Sequence, residues 1–317
     1  MERSKKPSAI NAPSGGPQPQ VDISSDNSRV TASLPTGESV DVLLHGATII
    51  SWKSGKQENL WLSEKAVLDG SKAVRGGIPV VFPVFGPPPP NHATSKLPQH
   101  GFARTSRWEY LGKSTSESGA LSQGGDDCVK LDFGLSSSNL SADAKKAWPY
   151  DFGLIYSVTL GRDGLQTVMT VRNEGKEPFE FQFLLHTYLA VKDISKVTVT
   201  GLMGAIYTDK VLNATNHTET HAALPITAET DRVYASLAQD TTSVLQDGKP
   251  RFDVVRDNLD DTVVWNPWRE KAAAMSDFAP KDGWRNMLCV EVGSVSGWQK
   301  LEAGDTFEAG QVIRSLL

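Results

Sequence analysis

Cysteine is scarce in this 317-residue chain, with Cys128 and Cys289 the only two. That excludes a disulfide-stapled secreted framework and favours a reducing compartment. No apolar run approaches the roughly 18 residues that a membrane-spanning helix requires. The opening residues, Met-Glu-Arg-Ser-Lys-Lys-Pro, lack the apolar centre of a secretory signal. A cytoplasmic protein with no membrane partner is expected. Basic residues do not predominate either: 32 Lys and Arg stand against 37 Asp and Glu, for a formal net charge of −5. Nucleic acid is therefore not an expected partner, although a few arginines in one cleft suffice to hold a small anion. Also missing are a P-loop, a Gly-x-Gly-x-x-Gly turn, a Cys-x-x-Cys pair and a His-Glu-x-x-His spacing among the six histidines. No cofactor and no metal are expected. The Asn-x-Ser/Thr matches at Asn139, Asn213 and Asn216 are read as chance occurrences.

What is present is period two. The segments 40–52, 165–172, 179–186, 197–201 and 287–293 are β-branched or aromatic and alternate or run apolar. Turn formers bound them, drawn from 27 Gly and 18 Pro. Helical periodicity is hard to find, and residues 141–148 offer the best short candidate. Strand and helix patterns do not alternate, which argues against doubly wound and barrel α/β folds. The fold class is all-β, with many antiparallel strands in packed sheets. Residues 1–22 are poor in large apolar side chains and read as a flexible tail, because they bury too little to offset their ordering entropy. Residues 23–317 read as a single domain, with 114–127 as a long polar loop.

Two residues draw attention as chemistry. In 179–186, Phe179, Phe181, Phe183 and Leu185 point to one face, while Glu180, Gln182, Leu184 and His186 point to the other, followed by Tyr188. His186 thus lies away from the phenylalanine core, where both a hydrogen-bonded structural histidine and a cleft residue remain open. Glu291 stands among Leu288, Cys289, Val290 and Val292. A carboxylate is expensive to bury there unless it is paired, with nearby Arg285 for example, or has a function. Apolar surroundings raise its pKa toward the range of a general base. Arg75 followed by Gly76 and Gly77, and Gln99, His100, Gly101 and Arg104, form two arginine-bearing loops. A guanidinium fork suits phosphate, and glycine clears room for its approach.

The segments 75–86 (Arg-Gly-Gly-Ile-Pro-Val-Val-Phe-Pro-Val-Phe-Gly) and 99–104 (Gln-His-Gly-Phe-Ala-Arg) resemble the glucose-6-phosphate 1-epimerase family. So do 184–188 (Leu-Leu-His-Thr-Tyr), 230–234 (Thr-Asp-Arg-Val-Tyr), 265–268 (Trp-Asn-Pro-Trp) and 289–293 (Cys-Val-Glu-Val-Gly). This group is part of the galactose-mutarotase-like superfamily. The resemblance implies a β-supersandwich with a cleft lined by the strands of His186 and Glu291. It also implies Glu291 as general base on the C1 hydroxyl and protonated His186 as general acid on the ring oxygen. It further suggests Arg75, Gln99, Arg104 and Asp231 as substrate-binding residues, with Arg75 and Arg104 on a phosphate. His100 is left as a supporting residue or a further hydroxyl contact. The implied partner is a small phosphorylated hexose, handled by a monomer with neither metal nor redox cofactor.

Two other readings compete. An epimerase of neutral sugars would not need the arginines, and a carbohydrate-binding protein on the same fold would not need an acid–base pair. A glycosidase would require two carboxylates flanking the bond, and Asp231 beside Glu291 fits that less well than a histidine partner fits ring opening.

Overall fold

A computed structural model describes residues 18–114 and 128–316. Residues 1–17 of the expected tail and 115–127 of the expected loop lie outside the described residues. Strand Gln20–Ile23 pairs antiparallel with Arg29–Ser33, so regular structure begins inside the stretch assigned to the tail. Val21 explains the difference: its side chain packs against the core, which a mean over polar neighbours conceals.

Three antiparallel sheets make up the architecture. The first is a five-stranded meander from Gln20–Ile23 to Gln57–Glu58, with the strands in chain order. The second has nine strands, from Ala223–Pro225 at one edge to Glu109–Ser114 at the other. Strand Cys128–Ser136 in this sheet shows why alternation yields a sheet buried on one face. Val129, Leu131, Phe133 and Leu135 are buried, while the residues between them are partly open. The third sheet has eight strands and carries the site. Its order runs Ala214–Thr218, Ile206–Asp209, Thr230–Ala235, Asp261–Asn266, Met287–Leu301, Phe179–Leu185 and Val80–Val81, with Tyr188–Ala190 also on Met287–Leu301.

The two large sheets share one apolar core. Phe181 of one stands with its ring 5.4 Å from that of Phe307 of the other. Between them, buried Gln311 donates through Nε2 to Thr187 Oγ1 at 3.1 Å, so these two side chains partner each other. Each fully buried Phe or Leu contributes about 1.5–3 kcal/mol relative to exposure, and the phenylalanines of Phe179–Leu185 are all enclosed. Helix is confined to short pieces. Ala142–Ala147 falls where the sequence places its helix, with Ser141 Oγ accepting from the backbone N–H of Ala144 as N-cap.

The two arginine-bearing loops are held by backbone contact. Gly77 has φ +67°, and a Cβ there would sit 2.1 Å from the Ile49 carbonyl oxygen; at Gly101, φ +69°, it would sit 2.1 Å from that of Phe82. These glycines therefore clear room for a neighbouring strand rather than for a phosphate, which corrects the reading of both motifs. Replacing Gly77 with Ala combines left-handed strain with a steric overlap against rigid backbone. It is expected to cost about 3 kcal/mol or more, read as a lower urea midpoint. An unchanged midpoint would show that the loop accommodates the methyl group.

Candidate active site

Register builds the floor of the site. On Met287–Leu301, Cys289 and Glu291 lie two residues apart and so project from one face. Across the ladder Cys289 pairs with Tyr188 on one side and Trp265 on the other, and Glu291 pairs with Val263. One strand further on, Asp231 is opposite Trp265. His186 occupies the two-residue gap between Phe179–Leu185 and Tyr188–Ala190, outside the strand that the alternation predicts. Its backbone N–H donates to Pro79 at 3.0 Å, and its ring stacks on Tyr188 at 4.7 Å.

Of these, His186, Asp231, Val263, Trp265 and Glu291 line a cleft of about 290 Å³ together with Arg75, Phe85, Gly86, Gln99, His100, Lys210, Lys271 and Met275, while Cys289 and Tyr188 lie beneath its lining. A larger depression, about 560 Å³ around Lys96, Arg107 and Ala144, brings no histidine and no buried carboxylate to its wall. The floor of the smaller cleft brings a histidine and a carboxyl together. His186 Nδ1 lies 3.3 Å from Glu291 Oε1, with side chains 13% and 2% exposed. Neither Nδ1 of His186 nor Oε2 of Glu291 has a hydrogen-bond partner. Arg285, the alternative partner for Glu291, is exposed and lies over the Trp284 ring instead.

The walls are mostly cationic. Arg75 is held: Nη2 pairs with Asp277 at 3.2 Å and Nη1 donates to the Tyr188 hydroxyl at 3.1 Å. Arg104 donates through Nη2 to the Gln99 carbonyl at 2.9 Å and is not among the lining residues, so it braces the loop from behind. Lys271 pairs with Glu229 at 3.1 Å and approaches Asp231 at 3.8 Å. Lys210 is different. Its ammonium sits 4.0 Å over the Phe85 ring and forms no ion pair among the described residues. Its position is fixed from below. The preceding residue, Asp209, pairs at 3.2 Å with Arg232, the residue after Asp231, and Arg232 reaches buried Glu219 at 3.0 Å. Lys210 also donates its backbone N–H to the Asp231 carbonyl at 2.8 Å.

Burial decides the protonation of the couple. Desolvation, then the neighbouring charge of Asp231, pushes the Glu291 carboxyl well above the usual range. Desolvation, then the nearby His100, Arg104 and Arg75, pushes the His186 imidazole well below its own. Both shifts favour the uncharged forms, a protonated carboxyl beside an unprotonated imidazole. The resemblance implies the charged forms, protonated His186 and ionised Glu291, for the reacting state. His100 is neutral as well, pushed down to about 3 by desolvation and then by Arg104, Lys210 and Arg75. The Gly86 N–H donates to its Nδ1 at 3.2 Å, so the ring hydrogen sits on Nε2, beside the Gln99 amide at 3.3 Å.

All the residues singled out in the sequence converge on this region, Arg104 one layer behind the wall. Lys210, Lys271 and Asp277 were missed. Lys210 lies in the turn after Ile206–Asp209 and Lys271 on the helix Trp268–Ala274, and Asp277 reaches the site by pairing with Arg75, so tertiary packing rather than a local pattern brings them there.

Comparison with known proteins shows the family. The aldose 1-epimerase family model matches residues 28–314. A protein of Cenchrus ciliaris, provisionally named a glucose-6-phosphate 1-epimerase, is 35% identical over 269 residues, covering 84% of this chain and 78% of its own. An Escherichia coli protein of the same provisional name is 36% identical over 273 residues, covering 86% and 85%. A Salmonella typhimurium crystal structure, provisionally described as a mutarotase, superposes with a TM-score of 0.76 at 27% identity over 95% of each chain. The chain belongs to the aldose 1-epimerase family, and the all-β galactose-mutarotase-like fold expected from the sequence is the one it adopts.

The neutrality of the couple is open to direct measurement. Infrared difference spectra between wild type and Glu291→Gln, taken at neutral pH, should contain the C=O stretch of a protonated carboxyl. Only ionised carboxylate bands in the difference would contradict a neutral Glu291.

Proposed function

We propose that this member of the aldose 1-epimerase family is an isomerase that interconverts the α and β anomers of glucose 6-phosphate and related hexose 6-phosphates. One observation carries the reading: a buried, unpartnered His186–Glu291 couple shares a small cleft with the unpaired ammonium of Lys210. A sugar hemiacetal needs a base at its C1 hydroxyl and an acid at its ring oxygen, and the couple offers both. The names of the relatives point to the same phosphorylated substrate.

The chemistry follows from where the proton sits. A phosphate dianion beside Lys210 and Arg75 offsets the positive charge that holds the His186 imidazole unprotonated. The Glu291 proton then passes over the 3.3 Å gap to Nδ1, leaving a carboxylate and an imidazolium. Nδ1 faces Glu291, so the other ring nitrogen is the one left for the substrate. Glu291 removes the proton from the C1 hydroxyl as that nitrogen protonates the ring oxygen. The C1–O5 bond breaks and a C1 carbonyl forms. Rotation about C1–C2 presents the other carbonyl face, and the same transfers run backwards to close the ring. No net proton or electron is consumed.

The remaining assignments are these. Lys210 carries most of the contact to phosphate, with Arg75 contributing from its clamp between Asp277 and Tyr188. Arg104 acts by holding the Gln99–His100 loop. Asp231, Gln99 and His100 meet sugar hydroxyls. The enzyme works as a monomer in the cytoplasm, a setting that suits two buried free thiols.

Lys210→Ala tests the substrate class. A charge-assisted contact to phosphate is worth about 1.5–3 kcal/mol. The variant should therefore lose roughly 10- to 100-fold in kcat/KM for glucose 6-phosphate, with little change for free glucose. Equal losses on both sugars would assign Lys210 a structural role, and faster exchange of glucose alone in the wild type would indicate an enzyme of neutral sugars.

A further inference from the structure

Cys289 has no part in the anomer chemistry, yet its sulfur belongs to the same constellation. One ligand atom each from His186, Cys289 and Glu291 lies within 4.8 Å of the other two. Among the described residues this is the one such grouping of histidine, cysteine and carboxylate side chains. The alternation of Met287–Leu301 accounts for it: Cys289 and Glu291 share a face, and Cys289 pairs with Tyr188, two residues beyond His186. The thiol is fully buried and unoxidised.

We propose that this trio is an inhibitory zinc site, in which Zn2+ bound by Cys289, His186 and Glu291 locks the acid–base couple. Imidazole, thiolate and carboxylate are all zinc ligands, and three protein ligands with one open position is the usual form of an accessible zinc site. Two of the three atoms are already spaced for it. Tetrahedral zinc with bonds of about 2.0–2.3 Å separates its ligands by roughly 3.3–3.7 Å, and His186 Nδ1 stands 3.3 Å from Glu291 Oε1. Only the sulfur needs to close in. His186 Nδ1 is buried and unpartnered, so a metal there satisfies a polar atom that the free protein leaves bare.

Charge balance favours the ion as well. The thiol and the carboxyl each release a proton to solvent on binding, and two anionic ligands cancel the dication. The buried site thus gains no net charge, which a monovalent cation could not achieve with the same ligands. The open fourth position faces the cleft, because His186 and Glu291 line it. Of the nearby cations, Arg75 is paired with Asp277 and Lys271 with Glu229 and Asp231, while Lys210 and Arg104 form no ion pair among the described residues. With zinc in place, the Glu291 oxygen that faces His186 is coordinated, and the His186 nitrogen that takes the shuttled proton is occupied.

Cobalt(II) reads the site spectroscopically and independently of turnover. Metal-free wild-type protein titrated with Co2+ should develop the near-ultraviolet charge-transfer absorption of a thiolate–cobalt bond, to one equivalent. Cys289→Ala should lack it. Added Zn2+ should displace the cobalt signal and slow anomer exchange, with relief by raised glucose 6-phosphate. Cys289→Ala, checked for folding by thermal melting and for its own exchange rate without metal, should need at least about tenfold more zinc for half-inhibition. Cobalt binding with no thiolate band, or equal zinc sensitivity of the two proteins, would overturn the proposal. The spectrum stands whether or not the sugar assignment does: a thiolate band in a protein that fails to exchange anomers would reject the proposed function and retain the metal site.

Discussion

The carboxyl of Glu291 is sealed beneath the cleft with one oxygen unpartnered, and a lone ion so placed costs several kcal/mol. Burial favours the protonated carboxyl and the unprotonated imidazole, the forms that avoid that cost. In those forms one transferable proton lies between partners 3.3 Å apart. Desolvation holds the imidazole down first, and the nearby His100, Arg104 and Arg75 add to it. On the proposed reading, a change in that charge on binding an anion moves the proton.

The rest of the fold keeps this arrangement in place. Three antiparallel ladders meet at the site, so the positions of Asp231, Trp265, Cys289 and Glu291 follow from register rather than from loop conformation. A slip of one residue would turn Glu291 into the core and Val290 into the cleft. The buried Asp209–Arg232–Glu219 network fixes Lys210 and Asp231 from behind, while the Gly77 and Gly101 contacts fix the loops bearing Arg75 and His100. Floor and walls are thus supported separately, which lets the cleft stay open without losing its geometry.

Much of this could be read from the chain. The patterns of residues 179–186 and 287–293 revealed strands, placed His186 away from the phenylalanine face and marked Glu291 as a carboxylate among apolar neighbours, and the short helix fell where Ser141 offers its cap. The arginine-glycine loops were found, but their glycines were misread. A local pattern shows that a glycine is required without showing whether substrate or another strand, here the backbone of Ile49 or Phe82, presses against it. Lys210 and Asp277 were invisible for a related reason: tertiary packing puts Lys210 on the cleft and Asp277 against Arg75, and their own neighbours carry no signal. Protonation was equally out of reach, since it depends on how deeply the cleft buries the couple and on which cations surround it.

The central claim is that a proton shared by His186 and Glu291 opens the sugar ring. Anomer exchange of glucose 6-phosphate at equilibrium, followed by NMR, tests it most directly in wild type and Glu291→Gln side by side. The account predicts accelerated exchange with wild type and a loss of about 10²- to 10⁴-fold in the variant, with folding intact because the amide nearly matches the carboxyl in shape. Wild-type rates in the Gln variant, or no acceleration by the wild type, would contradict it.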